Sequence, residues 1–158
     1  MNGEIRYRRA AVGDVRAIAA MERGYFGRHA FGPGMLLYLL WHAGDGFRVA
    51  AIESEVVGYA VVCRRSLRRG HAELSTFAVR EDLRNRGVGS QLMSQALAHL
   101  AAAKVKRVNL QVSVRNSAAC RLYERFGFRV ASTLRGYYGG GEDAWLMVCS
   151  LEGRGARE

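Results

Sequence analysis

The chain has 158 residues, of which 49% are hydrophobic, and this size and composition fit one domain with a buried core. Its three cysteines, Cys63, Cys120 and Cys149, are an odd number without CxxC spacing, which argues against a disulfide framework or a zinc site. The formal charge of +10 favours anionic partners such as phosphates, nucleic acid, the ribosome or acidic peptides, although an arginine-rich solvated surface explains the charge equally well.

The first third of the chain predicts a strand followed by two helices. The N-terminus lacks the apolar core of a signal peptide, and the alternation of Ile5–Arg8 is typical of a strand. Asp14 can cap a helix that runs to about Arg23, after which the glycine-rich residues 24–34 predict a loop. A second helix is expected over about 35–43. No apolar run reaches the roughly 18 residues of a membrane span, so we expect a cytoplasmic protein without a membrane partner.

The middle of the chain predicts a hairpin, a further strand and an amphipathic helix. Apolar runs at 47–52 and 56–63 are separated by a short polar segment and predict a hairpin. A strand over 72–79 and a helix over about 90–103 follow. Between the strands, the arginine-rich stretch 64–69 is expected to be an exposed loop. Because no aromatic residues interleave it, we expect no specific nucleic-acid binding.

The last third predicts three strands and one helix. The strands are expected at 108–112, 128–134 and 144–151. A helix over about 118–126 can be capped by Asn116 or Ser117. Gly127 then stands where a C-cap glycine belongs. The order βααβββαβαββ predicts a mixed α/β fold, with residues 1–151 as a single domain and 152–158 as a loose tail.

A basic glycine loop lies between the strand over 72–79 and the helix that follows it. The loop, residues 84–89, reads Arg84-Asn85-Arg86-Gly87-Val88-Gly89. A helix N-terminus offers backbone N–H groups and the positive end of the helix dipole, and glycines let the backbone approach an anion closely. The arrangement of strand, basic glycine loop and helix therefore predicts a phosphate-binding site. We call residues 84–89 the phosphate loop.

The phosphate loop resembles the acetyl-CoA pyrophosphate loop of the GNAT N-acetyltransferases, which has the spacing Arg-x-x-Gly-x-Gly. Three further segments are similar to the same family, at 110–119, 122–128 and 135–144. The last of them, with Tyr137-Tyr138 and Glu142-Asp143, resembles the N-terminal protein acetyltransferases, which comprise the bacterial RimI type and the archaeal and eukaryotic N-terminal enzymes. The first 70 residues match mainly in pattern.

The resemblance implies a GNAT fold, with a mixed, mostly antiparallel sheet that splays between its fourth and fifth strands, about four flanking helices, and acetyl-CoA in the split. It places the backbone of Phe77, Ala78 and Val79 against the pantetheine arm. Asn116 and Tyr123 would contact the cofactor from the next helix. The pyrophosphate would be held by backbone amides from Arg84, Asn85, Arg86, Gly87, Val88, Gly89 and Ser90. No metal is expected.

Acetyl transfer from a thioester to an amine needs a neutral amine, a polarised carbonyl and a protonated leaving thiolate. The resemblance implies that Tyr123 is the general acid beside the CoA sulfur. A phenol with an ordinary pKa of about 10 is protonated at neutral pH and can donate to a thiolate. The alternative is that Tyr123 only packs in an apolar helix face.

The general base is less directly indicated. Many relatives carry Glu or His where this chain has Gln111, and a glutamine cannot accept a proton at neutral pH. We expect Glu73 to take this role, because the histone acetyltransferase branch places its catalytic glutamate at the corresponding strand position. Alternation puts Glu73 and Phe77 on one strand face with His71, which could complete a water relay. The alternative for Glu73 is an exposed charge at a strand start.

The loss of a base at Gln111 favours an α-amine over lysine as the substrate. A peptide α-amine has a pKa of about 8, so roughly a tenth of it is already neutral at pH 7, whereas a lysine side chain has a pKa of about 10.4. The resemblance places Tyr137 and Tyr138 where they would bind the incoming peptide backbone, with Gln111 at the same site. Phe26 is expected either to set first-residue specificity or to pack in the core.

These features together predict an acetyl-CoA-dependent N-acetyltransferase that acetylates the α-amino group of protein N-termini by direct attack in a ternary complex. The expected partner is a protein N-terminus or peptide, with ribosome association as a further expectation. Glu142 and Asp143 are expected to orient the loop that carries Tyr137 and Tyr138, which we call the tyrosine loop, or to attract the cationic N-terminus of the substrate. Two alternatives stay open, a GNAT enzyme that acetylates lysine or a small-molecule amine and a non-catalytic CoA-binding module.

Overall fold

The computed structural model describes residues 3–65 and 68–153 of the chain. Within these residues, seven strands are formed, β1 (Ile5–Arg9), β2 (Phe47–Ile52), β3 (Glu55–Arg64), β4 (His71–Val79), β5 (Arg107–Ser113), β6 (Arg129–Leu134) and β7 (Ala144–Ser150). The same residues form four α-helices, α1 (Val15–Phe26), α2 (Pro33–Ala43), α3 (Val88–Ala102) and α4 (Ser117–Arg125). The strands are arranged in one sheet in the order β1-β2-β3-β4-β5-β7-β6.

The sheet is mixed and mostly antiparallel, as the sequence predicts. β4 and β5 run parallel, with a register from His71 opposite Arg107 to Glu73 opposite Asn109. The pairs β1–β2, β2–β3, β5–β7 and β6–β7 are antiparallel. β5 pairs with β7 along its whole length, from Arg107 to Ser113. The order of the elements confirms the predicted mixed α/β fold.

The described residues divide into two compact units. The first contains the residues up to Cys63 together with Ser75–His99, and the second contains Arg64–Leu74 together with the residues from Leu100 onwards. Each unit buries its own set of apolar side chains. A single domain over residues 1–151 stays a prediction.

In the first unit, β3 has buried residues on both of its faces. Tyr59 and Val61 belong to one apolar cluster, which also contains Ile18 of α1 and Leu36 of α2. Val57 of β3 belongs to a second cluster, which contains three residues from β4 and the start of α3, namely Val79, Val88 and Leu92. A strand that is covered on both faces reads as a continuous apolar run rather than as an alternation, which is the pattern of residues 56–62.

In the second unit, β5 shows the alternation of a strand with one buried face. Val108, Leu110 and Val112 are buried, whereas Gln111 and Ser113 lie on the half-buried opposite face. Apolar residues from the neighbouring elements complete this core, namely Tyr123, Phe128, Ala144, Met147 and Cys149. Full burial of each large apolar side chain contributes about 1.5–3 kcal/mol to folding, so this alternation fixes which face of β5 carries its polar residues.

The first helix is longer than the sequence predicts. It runs to Phe26, whereas we expected a loop from Gly24 onwards. Gly24 has an exposed position within the helix, where a glycine weakens the helix but does not end it. The helix ends instead at Gly27, whose φ of 55° lies in the region that favours glycine. The second helix begins two residues early, at Pro33, since a proline at the first helical position has no N–H to lose.

Asp14 stands at the expected cap position of α1, but its side chain makes different contacts. The carboxylate accepts a hydrogen bond from the backbone N–H of Ala11 at 2.7 Å and two from the guanidinium of Arg8, at 2.7 and 2.8 Å. The Arg8 guanidinium is the main cause that holds the pKa of Asp14 below its usual range. Asp14 therefore joins β1 to the turn before α1, and the prediction that it caps the first turn of α1 is wrong.

Two predicted segments lie partly outside the described residues. Ser66 and Leu67 of the arginine-rich stretch are outside them, as are residues 154–158 of the tail. On either side of Ser66 and Leu67, Arg65 donates its backbone N–H to the carbonyl of His71 at 2.8 Å, which joins β3 to β4. No helix in the described part of the chain is long and apolar enough to cross a bilayer.

Candidate active site

The phosphate loop makes two left-handed steps before α3 begins. Asn85 has a φ of 62° and Gly87 has a φ of 84°, and the N–H of Gln91 then donates to the carbonyl of Gly87 at 3.0 Å as the helix starts. A Cβ at Gly87 would have no neighbour within 4 Å, so the backbone conformation and not crowding requires glycine there. The loop therefore leads into the positive end of a 15-residue helix. Its backbone at Gly87 has no neighbouring atom on the side where a Cβ would lie.

Two buried side chains hold the loop at its ends. Leu83, just before the loop, and Val88, at the start of α3, both pack in the second apolar cluster of the first unit. The residues between these anchors, 84–87, are exposed. Fixed ends with an exposed basic middle section fit an anion-binding loop, since the exposed backbone and the side chain of Arg86 stay accessible to a ligand.

Arg84 is held by contacts within the protein. Its Nε donates to the carbonyl of Val79 at 3.1 Å, and its guanidinium carbon lies 4.9 Å from the centre of the Tyr25 ring. The hydroxyl of Tyr25 also accepts the backbone N–H of Glu81 at 3.0 Å. Tyr25 therefore contacts the segment that leads into the phosphate loop, and it lies in the last turn of α1, within the stretch 24–34 that the sequence predicts as a loop. No signal in the sequence indicates this long-range contact.

Phe26, the other aromatic residue at the end of α1, has a different environment. It is half-buried and packs against the first apolar cluster, as Tyr25 and Phe31 also do. This packing accounts for its apolar side chain without any ligand. A role for Phe26 in first-residue specificity stays a prediction.

Tyr123 lies in α4 of the second unit and is buried, with 7% of its surface exposed. Its ring packs edge-to-face on Phe128, with the ring centres 5.9 Å apart. Burial raises the pKa of Tyr123 well above its usual value, and the nearby Tyr138 raises it further. Apolar packing and a role as proton donor are thus compatible, because the packing keeps the phenol protonated across the physiological range.

Tyr137 and Tyr138 form an edge-to-face pair, with their ring centres 4.9 Å apart, in the loop between β6 and β7. Tyr137 is 51% exposed, whereas burial, together with Tyr137 and Glu142, raises the pKa of Tyr138 to about 12. The Asp143 carboxylate accepts the backbone N–H of Gly136 at 2.8 Å, which closes the loop. The loop therefore presents one exposed phenol and one half-buried phenol.

A second contact ties this loop to the end of β5. The Ser113 hydroxyl donates to Oε1 of Glu142 at 2.6 Å, and the N–H of Val114 donates to the carbonyl of Asp143 at 3.1 Å. Ser113 shares a strand face with Gln111, so the polar face of β5 leads directly to a carboxylate. The orienting role expected for the two acidic residues is therefore present, and Glu142 is a second candidate base that the sequence did not indicate.

Glu73 lies on the expected face of β4. Ala72, Leu74 and Thr76 are buried, whereas His71 and Glu73 alternate with them and are half-buried. Glu73 stands opposite Asn109 of β5 in the parallel register. The predicted alternation is confirmed. The role of Glu73 as the base stays a prediction.

Asn116 caps α4 as the sequence predicts. Its Oδ1 accepts the backbone N–H of Ala119 at 3.1 Å. This bond uses the carbonyl oxygen of the side chain, and the amide NH2 group is a hydrogen-bond donor. The start of α4 is therefore fixed in place, and Asn116 retains a donor group for a cofactor.

Comparison with known proteins gives one consistent result. Residues 15–128 match the family described as Acetyltransferase (GNAT) family. An N-alpha-acetyltransferase from Sulfolobus acidocaldarius is 36% identical over 120 residues, which cover 68% of this chain and 70% of that protein. A ribosomal-protein alanine N-acetyltransferase from Salmonella typhimurium is 38% identical over 83 residues, 51% of this chain and 56% of that protein. The crystal structure of Ard1 from Thermoplasma volcanium superposes with a TM-score of 0.84 at 27% identity, covering 92% of this chain and 97% of that one.

Proposed function

The chain belongs to the acetyltransferase (GNAT) family, and we propose that it transfers the acetyl group of acetyl-CoA to the α-amino group of protein N-termini. The observation that carries this proposal is the similarity over 120 residues to a protein named as an N-alpha-acetyltransferase. The ordered tyrosine loop, joined to β5 through Ser113 and Glu142, supports a peptide substrate, because it offers hydrogen-bond donors at a fixed position.

The residues that would hold acetyl-CoA are those of the phosphate loop, the start of α3 and the end of β4. The exposed loop backbone, the left-handed Gly87 and the start of α3 fit a pyrophosphate, because they combine N–H donors with the positive end of a helix dipole. The side chain of Arg86 adds positive charge at the same place. The backbone of residues 77–79 would bind the pantetheine arm. When bound, acetyl-CoA supplies an acetyl group activated as a thioester.

The proposed proton donor is Tyr123, and the proposed bases are Glu73 and Glu142. Tyr123 is protonated at neutral pH, as an ordinary phenol is, and it is our candidate for the group that protonates the leaving thiolate. Glu73 or Glu142 would accept the proton of the amine, directly or through water. A strong base is not required for an α-amine, of which roughly a tenth is neutral at pH 7. We propose that the amine attacks the thioester carbonyl directly in a ternary complex, without transfer of the acetyl group to a side chain of the protein.

We also propose that the enzyme acts in the cytoplasm on N-termini as they become accessible at the ribosome. The formal charge of +10 supports this idea, because a cationic protein is attracted to the phosphates of ribosomal RNA. Co-sedimentation with ribosomes at low and at physiological salt tests the association. Binding that falls steeply with salt supports it, and no enrichment over a neutral control protein at low salt contradicts it.

The substrate class is tested by initial rates with a panel of amines at saturating acetyl-CoA. The panel contains a peptide with a free α-amine, the same peptide with a blocked α-amine and one internal lysine, and a polyamine. The proposal expects rapid acetylation of the first peptide alone. Turnover restricted to lysine or to the polyamine would overturn the substrate assignment. Tight CoA binding without transfer to any amine would point to a non-catalytic module.

A further inference from the structure

The end of α1 makes two polar contacts with the segment that would bind the cofactor. Glu22 is fully buried, with 1% of its surface exposed, and its Oε1 accepts a hydrogen bond of 2.6 Å from the Thr76 hydroxyl in the middle of β4. The backbone N–H of Phe31, in the loop before α2, donates to the same carboxyl group. Glu22 thus joins α1, the loop before α2 and the strand whose next residues are 77–79.

One turn further along α1, Tyr25 makes the second contact. Its hydroxyl accepts the N–H of Glu81 at 3.0 Å, and its ring lies 4.9 Å from the guanidinium carbon of Arg84. Arg84 in turn donates to the carbonyl of Val79 at 3.1 Å. Tyr25 therefore contacts the start of the short turn after β4 and the first residue of the phosphate loop.

Glu22 and Tyr25 are three residues apart and so project from the same side of α1. Together they contact β4, the turn after it and the phosphate loop, at Thr76, Glu81 and Arg84 respectively. A buried carboxyl group without hydrogen-bond partners costs free energy. Movement of β4 away from α1 would break the bond between Thr76 and Glu22, so this cost opposes such movement. A helix that contributes no residue to the phosphate loop thus contacts both the loop and the segment that leads into it.

We propose that Glu22 and Tyr25 are positioning residues for the cofactor, which hold β4 and the phosphate loop in the conformation that binds acetyl-CoA. The inference rests on the proposed function in one respect, the identity of the ligand. It predicts that their loss raises the KM for acetyl-CoA and weakens CoA binding, while kcat at saturating acetyl-CoA and the KM for peptide change little.

The test uses calorimetric titration of the full-length protein with CoA, together with steady-state kinetics. Tyr25→Phe removes one hydrogen-bond acceptor and should weaken CoA binding by roughly three- to tenfold. Tyr25→Leu also removes the aromatic face under Arg84 and should weaken binding further. Tyr38→Leu is the matched control, because Tyr38 lies in α2 with 58% of its surface exposed and stacks on His42, and it should bind CoA as the wild type does.

Glu22 is tested by a conservative pair, in case its removal prevents folding. Thr76→Val deletes the donor to Glu22 and should weaken CoA binding, whereas Glu22→Gln keeps an acceptor oxygen for Thr76 and should retain most of the affinity. CoA affinities of Tyr25→Leu and Thr76→Val equal to that of the wild type would overturn the inference. An equal loss in kcat and in thermal stability with an unchanged KM for acetyl-CoA would also overturn it. Absence of CoA binding by the wild-type protein would instead contradict the proposed function.

Discussion

The Ser113 hydroxyl at the end of β5 donates a 2.6 Å hydrogen bond to the carboxylate of Glu142 in the loop between β6 and β7. This contact fixes the loop that carries Tyr137 and Tyr138 against the strand that carries Gln111. Two segments that are far apart in the sequence thereby form one polar surface in the second unit. The proposed peptide-binding role of the tyrosine pair depends on this contact.

Ser113→Ala should raise the KM for an N-terminal peptide by roughly three- to tenfold, because one hydrogen bond that orders the tyrosine loop is lost. Glu142→Gln should have a similar effect, and the double variant should be no worse than either single variant, since both remove the same contact. Steady-state kinetics check these values. Glu124→Gln, an exposed residue of α4, serves as the control.

The same variants show whether Glu142 is the general base. A loss of kcat in Glu142→Gln that is much larger than the loss in Ser113→Ala would assign proton transfer to Glu142. Equal, small effects on kcat in both would leave Glu142 as an orienting residue. Additive effects in the double variant would contradict the shared-contact account.

Tyr123→Phe should lower kcat by about 10²- to 10⁴-fold, the range expected for the loss of a general acid. The affinity for CoA should change little. The fold should be retained, because the phenyl ring keeps its edge-to-face packing on Phe128. Single-turnover kinetics and calorimetric titration with CoA measure the two quantities. A variant with wild-type kcat would reduce Tyr123 to a packing residue.

The dependence of the rate on pH follows from the tyrosines. Burial raises the pKa of Tyr123, and burial, Tyr137 and Glu142 raise the pKa of Tyr138 to about 12, so both phenols stay protonated as the pH rises to 10. The kcat/KM should therefore rise through the α-amine pKa of about 8 and then stay level to about pH 10. A decline between pH 8 and 10 would contradict the assignment of Tyr123 as a buried acid.

The raised pKa values of the tyrosines also predict how the stability of the folded protein changes with pH. A phenol whose pKa is higher in the folded state than in the unfolded state holds its proton longer when folded. Stability is therefore full below about pH 10, the ordinary tyrosine pKa, and falls as the pH rises above it. Thermal unfolding at pH 8 to 11 defines the range in which the rates can be interpreted.

Gly87→Ala should destabilise the protein by about 1–2 kcal/mol, because alanine pays a steric penalty at the φ of 84° although its Cβ would meet no neighbour within 4 Å. The variant should also bind CoA more weakly. Gly24→Ala is a matched control within α1, where φ is not positive and a Cβ again meets nothing, and it should stabilise the protein by about 0.5–1 kcal/mol. Denaturant unfolding and CoA titration distinguish the two. Equal stability of Gly87→Ala and the wild type would contradict the account of the loop.

Much of the fold can be predicted from local patterns in the sequence. The alternation of β5 and the cap at Asn116 depend on neighbouring residues, and the structure confirms them. The end of α1 could not be predicted from the sequence, because the helix accommodates Gly24 and ends only at Gly27. Whether a glycine ends a helix depends on packing that the local pattern does not contain.

The candidate site could be predicted only where its residues form a continuous motif. The phosphate loop and Tyr123 lie within such motifs. The contacts of Tyr25 with Glu81 and of Ser113 with Glu142 join positions 56 and 29 residues apart, so no periodicity or spacing indicates them. Glu73 lies on the predicted strand face, but its role depends on a proton transfer that position alone does not define.

Acetylation of an α-amine by this protein can be measured by tandem mass spectrometry of one peptide that contains both a free α-amine and an internal lysine. The peptide is incubated with the purified protein and acetyl-CoA, and the position of the added acetyl group is read from the fragment ions. We expect a single acetyl group on the α-amine. Acetylation confined to the lysine side chain would contradict this expectation.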